Sequence, residues 1–379
     1  MRNKLFMGFA KPLCAGVLFV AVALVSRSTP VMAGGTPPAG SVASDQSVAQ
    51  AVVVSQAPPV GFSPITASDQ DLAVYGFPPK PNPQNAPQAY AKWRRLVSVP
   101  RAANSQVIQT HIYNRPAQRV LAGKTLSNGI VGVTSSNWSG YAAVGPNGTF
   151  TPNNSIVYQE WIVPTAEQAH GVCNGGWDYS SQWPGFDGFN SGDVLQGGTE
   201  VDAYCAPGPA GAANIQASFY SAWIEWYPFA ETRVSAPPIQ PGNFILGEVW
   251  YTTSAPYGHV YLANYTLYTS ASYAFNPPSG TTFAGNSAEW VMERPGLGAT
   301  LTDLTNYNGW ADSFNLNYAY NGTSYFYPSS VPSGYTDYAI TMTCPPWNPS
   351  SSCTSTTGIS YPYLYPPYAL WFYDGGPAY

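Results

Sequence analysis

Carboxylates, a glutamine and several indole and phenol side chains recur at alternate positions in three short stretches of this chain. Read as β-strands, whose successive side chains point to opposite faces, these stretches sort their polar groups. In 218–227 one face carries Ser221, Trp223, Glu225 and Tyr227. In 288–293 one face carries Glu289, Val291 and Glu293, and in 194–202 one carries Val194, Gln196, Gly198, Glu200 and Asp202. Two readings compete. A solvated outer face holds mostly Lys, Thr and Ser, whereas a face of Trp, Tyr, Gln and carboxylates suits a substrate groove. Carboxylates in such a groove can carry protons in hydrolysis. Glu289 and Glu293 lie four residues apart on one strand, roughly 13 Å by the usual rise. A retaining glycosidase needs about 5–5.5 Å, so they make a poor pair, although Glu225 with Glu293 could serve across strands.

Other hydrolytic constellations are missing. The chain has no HExxH, no DTG or DSG pair, no GxSxG and no CxxC, which excludes the usual zinc, aspartic, serine-elbow and dithiol sites. No metal or organic cofactor is implied. Beyond residue 125 the histidines are His170 and His259. Both read as loop or surface residues, and below roughly pH 6 histidine is a poor base.

The elements that must hold the three faces follow from composition. From Ser135 onward Tyr, Trp, Thr, Asn and Gly dominate, and short alternating runs are punctuated by Pro, Gly and Asn. Strands are expected at 139–144, 155–163, 218–227, 244–253, 259–269, 288–293 and 338–343. The fold expected is all-β, an antiparallel sandwich of the concanavalin A or lectin-like jelly-roll kind. Ahead of it, Arg2, Lys4 and Lys11 flank an apolar run at 13–25, and Val31-Met32-Ala33 offers a small-residue cleavage site. Residues 1–33 therefore read as a signal peptide, with an uncleaved anchor as the alternative. The mature chain is expected to be secreted into an acidic extracellular setting, free of the membrane and monomeric. Of the five cysteines, Cys14 leaves with that peptide. Cys173, Cys205, Cys344 and Cys353 remain and allow three pairings. Cys173–Cys205 with Cys344–Cys353 is favoured, because each closes a short loop.

Charge divides the chain. Twelve of the fourteen Lys and Arg lie at or before Lys124, whereas sixteen of the nineteen Asp and Glu lie beyond it. Two basic against sixteen acidic residues give the C-terminal part a formal charge of −14, self-repelling near neutrality and relieved in acid. Few bases also means little positive charge at low pH, which blunts acid unfolding. Nucleic acid is excluded as a partner for such a surface. Residues 34–130 differ again, rich in Pro, Ala, Gln and Val, with eight basic residues from Lys80 to Lys124. The first part, 34–56, reads as a flexible linker, and 89–99 as a short helix. The whole reads as a pro-segment, the chain's own intramolecular partner, clamped by charge to the acidic domain at 131–379. A linker or small binding module is the alternative.

Five motifs resemble the glutamic peptidases, also called eqolisins or G1 peptidases, and occur in that family's order. They are Ser136-Asn137-Trp138-Ser139-Gly140-Tyr141, Trp183-Pro184-Gly185-Phe186-Asp187-Gly188, Leu195-Gln196-Gly197-Gly198, Ala222-Trp223-Ile224-Glu225-Trp226-Tyr227-Pro228 and Asn286-Ser287-Ala288-Glu289-Trp290-Val291-Met292-Glu293. The resemblance covers roughly residues 135–315. It implies an acid endopeptidase acting on proteins and peptides, with Gln196 and Glu293 as the catalytic pair. It places Trp183, Asp187, Trp223, Glu225 and Tyr227 around the cleft. Glu200 stands where the family usually has Asp, and Ser221 where fungal members carry an acid. The tail, 316–379, is longer than expected and resembles nothing identifiable. The residue types suit the chemistry. A carboxylate with a pKa near roughly 4 can take a proton from water in acid, and a glutamine amide can donate to the oxyanion without titrating. The competing reading for Glu293 is an exposed edge-strand carboxylate paired with Arg294. The competing function is a carbohydrate-active jelly roll, a glycosidase or lectin, for which Gln196 has no role; a surface adhesin is a third.

Overall fold

The computed structural model describes residues 51–110, 113–114, 124–126, 129–169, 173, 175–297, 300–307, 310–313, 317–344, 358–365 and 369–374. The expected signal peptide, Arg115, Arg119, His170 and Cys353 lie outside them.

Short alternating runs of β-branched and aromatic residues make this a strand protein. In chain order the elements are β1 (Val52–Val54), α1 (Asp69–Val74), α2 (Pro87–Val97), β2 (Val107–Thr110), β3 (Tyr113–Asn114), β4 (Lys124–Thr125), β5 (Val131–Ser135) and β6 (Trp138–Val144). Then come β7 (Ser155–Ile162), β8 (Gly176–Phe186), β9 (Val194–Ala206), β10 (Ile215–Tyr227), β11 (Thr232–Val234), β12 (Phe244–Tyr251), β13 (Gly258–Asn264), β14 (Thr269–Phe275) and β15 (Ser287–Glu293). The last are β16 (Gly296–Leu297), β17 (Thr300–Leu301), β18 (Trp310–Ser313), β19 (Tyr318–Asn321), β20 (Tyr325–Phe326), β21 (Thr336–Thr343), β22 (Gly358–Tyr365) and β23 (Ala369–Asp374).

Two large sheets result, one ordered β1-β14-β13-β12-β7-β19-β20 and the other β18-β23-β22-β21-β6-β15-β8-β9-β10-β11-β2. Neighbours along both paths are antiparallel; β5 joins β21 in parallel. The expected antiparallel sandwich is therefore present. Its core lies between the sheets, where Val157, Trp161, Val249 and Leu262 of the smaller meet Leu195, Ile224, Trp226, Trp290 and Met292 of the larger. Two indoles stitch across it: Trp161 Nε1 donates to Thr199 Oγ1 at 2.9 Å and Trp290 Nε1 to the Tyr158 carbonyl at 2.9 Å.

Several expectations are corrected. The run 259–269 is two strands, β13 and β14, separated by a turn in which Asn264 Oδ1 accepts the Leu267 amide at 2.9 Å. His259 sits on β13 with its ring stacked on Trp250, not on a loop. The tail, unidentified in the sequence, joins both sheets: β19 and β20 extend the smaller one, and β21 to β23 flank β6 in the larger. Within the expected linker, Val52–Val54 is a strand paired to β14. The helix expected at 89–99 is α2, which buries Ala89, Trp93, Leu96 and Val97, the spacing of one helical face. Cys173 and Cys205 are joined by a disulfide. Cys344 is also disulfide-bonded.

Candidate active site

The larger sheet presents its other face away from the core, and strand register brings the three predicted faces together on it. Glu289 lies opposite Gly185, Gly185 opposite Gln196, and Gln196 opposite Glu225. Four residues along, Trp138 lies opposite Glu293, Glu293 opposite Ser181, Ser181 opposite Glu200, and Glu200 opposite Ser221. Between these rows, Val291 faces Trp183 and Gly198 faces Trp223.

Glu293 is fully buried on a strand flanked by β6 and β8, so it is not an exposed edge carboxylate. Arg294 is buried too, and its Nε donates to the Ser136 carbonyl at 2.8 Å. Three N–H groups converge on the Glu293 carboxylate. Asn137 Nδ2 and Trp138 Nε1 donate to Oε1 at 3.1 and 3.0 Å, and Trp183 Nε1 donates to Oε2 at 2.9 Å. The two indoles meet edge to face, with centroids 5.0 Å apart. Donors of this kind favour the charged form of the acid they surround.

The Trp183 indole links the rows. While its Nε1 holds Glu293, its Cζ3 lies over Gly185, where a Cβ would come within 2.8 Å of the ring and 3.1 Å of Gln196 Cβ. Gly198 is required for a similar reason: a Cβ there would press on the Gln182 carbonyl and come within 2.7 Å of Trp183 Cβ. Gln196 is wholly buried, and its Nε2 donates to Glu225 Oε2 at 3.2 Å. An ionised carboxylate only accepts, so this bond turns the amide NH2 toward Glu225.

The remaining predicted residues divide. Trp223 is buried in the same apolar cluster as Trp138, Trp183 and Val291, with half-buried Tyr227 packed against it. Glu200 shares its end of the face with Asp202, whose pKa is driven well up by burial and then by Glu200. Arg233 approaches Asp202 and Glu231, each at 3.5 Å. Asp187 does something else. Its carboxylate accepts the Gly285 and Asn286 amides at 2.9 and 2.8 Å, fixing the loop that leads into β15, and burial raises its pKa. Glu289 is wholly buried; burial, with Asp187 and Asp193 adding to it and Ser287 opposing it, pushes its pKa well up. Sequence reasoning gave Asn137 and Trp138 no role; their place in the opening motif was the available signal.

Residues 136–324, about half the chain, match the model of the Peptidase A4 family. The chain is thus a glutamic-type peptidase, a hydrolase of peptide bonds. It belongs to the peptidase A4, or eqolisin, family. Among solved structures, scytalido-glutamic peptidase with a transition state analog inhibitor is similar over 63% of this chain and 98% of that one, at 19% identity and a TM-score of 0.45. SCP-B, a member of the eqolisin family in complex with a tripeptide Ala-Ile-His, is similar over 63% and 98%, at 18% identity and 0.41. Aspergilloglutamic peptidase from Aspergillus niger is similar over 52% and 99%, at 21% identity and 0.39. Likeness at that level bears on no residue of the site. No curated protein matches.

Proposed function

We propose that this glutamic peptidase is a secreted endopeptidase working in acid, with Glu293 as general base and then general acid, and Gln196 as oxyanion donor. The observation that carries the reading is the convergence of three N–H groups on Glu293, at one end of an indole whose other end lies beside Gln196. In the reaction, Glu293 takes a proton from the water that attacks the scissile carbonyl and later returns it to the leaving nitrogen. Charge growing on the carbonyl oxygen is met by a Gln196 N–H, a donor that acid does not titrate. Glu225 acts through Gln196, as a positioning residue. Trp183, Trp223, Tyr227 and Glu200 form the walls that meet the peptide, and Asp187 serves by holding the loop ahead of β15.

Two observations support a latent precursor in which 34–130 is a pro-segment. Glu293 and Gln196 are wholly buried, so a peptide must first displace what covers them. The chain also leaves β2 at the β11 edge, pairs as β3 with β16 three residues beyond Glu293, and reaches β5 as β4. Glu293→Ala and Gln196→Ala test the dyad. Each should lower peptide hydrolysis at acid pH by at least the roughly 10²–10³ lost with one oxyanion donor, with unchanged circular dichroism. Retained activity in either folded variant refutes the assignment.

A further inference from the structure

Residues 51–106 hold to the sandwich through more than charge. β1 adds a strand to the smaller sheet and covers its edge, and β2, which follows the segment, adds one to the larger. Between them the segment lies on the outer face of the smaller sheet. Leu72, Phe77, Trp93 and Leu96 are buried there with Tyr158, Leu246, Trp250 and Tyr261. Backbone bonds continue the contact. The Ser55 amide donates to the Ser272 carbonyl at 3.0 Å, and the Ser270 and Ala102 amides exchange bonds with Pro100 and Ser270 carbonyls at 2.8 Å each. The Arg101 guanidinium lies 5.2 Å from the Tyr261 ring centroid and donates to the Ser55 and Tyr75 carbonyls. Lys92 and Arg95 both reach Glu160.

We infer that the outer face of the smaller sheet is a permanent docking surface for residues 51–102. The segment stays seated after a backbone cut separates it, and the working enzyme is a two-chain protein. The occupant is fixed by what already lies there: an apolar face that would otherwise bare Tyr158, Leu246, Trp250 and Tyr261, and a sheet edge that would otherwise be open. Acid acts on the Glu160 pairs and leaves the apolar contact and backbone bonds in place. Maturation therefore frees the catalytic face without discarding the first half of the pro-segment. The docking holds whichever residues carry catalysis.

The test uses the full chain with a recognition sequence for a specific protease placed in the exposed turn at Ala103 and Asn104. After cutting, gel filtration at pH 7 and pH 4 should give one peak at both, resolved into two chains only under denaturing conditions. A separate peak for the N-terminal piece at either pH overturns the proposal. Trp93→Ala in the same cut protein should speed exchange of the seated piece for a labelled synthetic 51–102 peptide by roughly 10-fold or more. Unchanged exchange overturns it as well.

Discussion

Lys92→Met is the most informative single change to the N-terminal segment, because it keeps the aliphatic stem and deletes the ammonium. In the parent, Lys92 Nζ lies 3.0 Å from Glu160 Oε1 and Arg95 lies 3.6 Å from Oε2, while Tyr158 donates to Oε1 at 2.8 Å. Glu160 is 1% exposed, so water cannot replace the lost cation. A hydrogen bond to a charged group is worth about 1.5–3 kcal/mol. Arg95 stays as a partner, half in solvent, so a loss of about 2 kcal/mol is expected, within that same range. For a chain of this size that is roughly 2–3 °C in melting temperature. The pH dependence separates this from a packing effect. Burial raises the Glu160 pKa, and Lys92, Tyr158 and Arg95 hold it back. Without Lys92 it rises further. A carboxyl whose folded pKa exceeds its unfolded value loses stability as pH climbs from the unfolded value through the folded one. Below the unfolded value of about 4.3 the group is protonated in both states, and variant and parent converge. Thermal melts should therefore differ by roughly 2–3 °C at pH 7 and by almost nothing at pH 3. An equal loss at both pH values, or none at pH 7, refutes the reasoning.

Trp183→Phe keeps a ring over Gly185 and deletes the N–H on Glu293 Oε2. It should lower kcat/KM by roughly 10- to 150-fold, the equivalent of one bond to a charged group, in a variant that keeps its circular dichroism; unaltered kinetics would remove Trp183 from the Glu293 cradle. The stability of the whole protein should be greatest in acid. Burial raises Asp178 and Asp337 to about 7, so the folded state holds protons that the unfolded chain has released between pH 4 and pH 7, and stability falls with rising pH. Burial lowers His259 to about 4, which opposes this between pH 4 and 6.5 but is outnumbered. A melting series should peak near pH 4, and a peak at pH 7 would contradict it.

What could be read from sequence was what depends on the period of two. The faces assigned to 194–202, 218–227 and 288–293 lie together on one side of one sheet, since alternation fixes the side on which a residue projects. What could not be read depends on register between strands. Asn137 and Trp138 meet Glu293 from more than 150 positions away, and Glu225 orients Gln196 from the adjoining strand. The turn at 265–268 was hidden by an unbroken run of Tyr, Thr and Leu. Charge counting in the N-terminal segment pointed to a broad clamp. Yet Lys80 donates to the Ile65 and Ala67 carbonyls and Arg101 to Ser55 and Tyr75, all within the segment, while Lys92 and Arg95 share Glu160. Its Pro-rich composition also concealed Phe77 and Trp93, whose burial is supplied by a distant sheet.

The place of β21 beside β6 bears on how this enzyme fails. Without the tail, β6 would be a rim, and Trp138 at its start, with Asn137 just ahead of it, would open with local fluctuations of that rim. With β21, β22 and β23 outside it, β6 and β15 are interior strands whose amides exchange with solvent only in the largest openings of the molecule. The cradle around Glu293 then has no loosened, half-folded form of its own. Heat inactivates such a site by unfolding the sheet, so loss of activity and loss of structure are a single event.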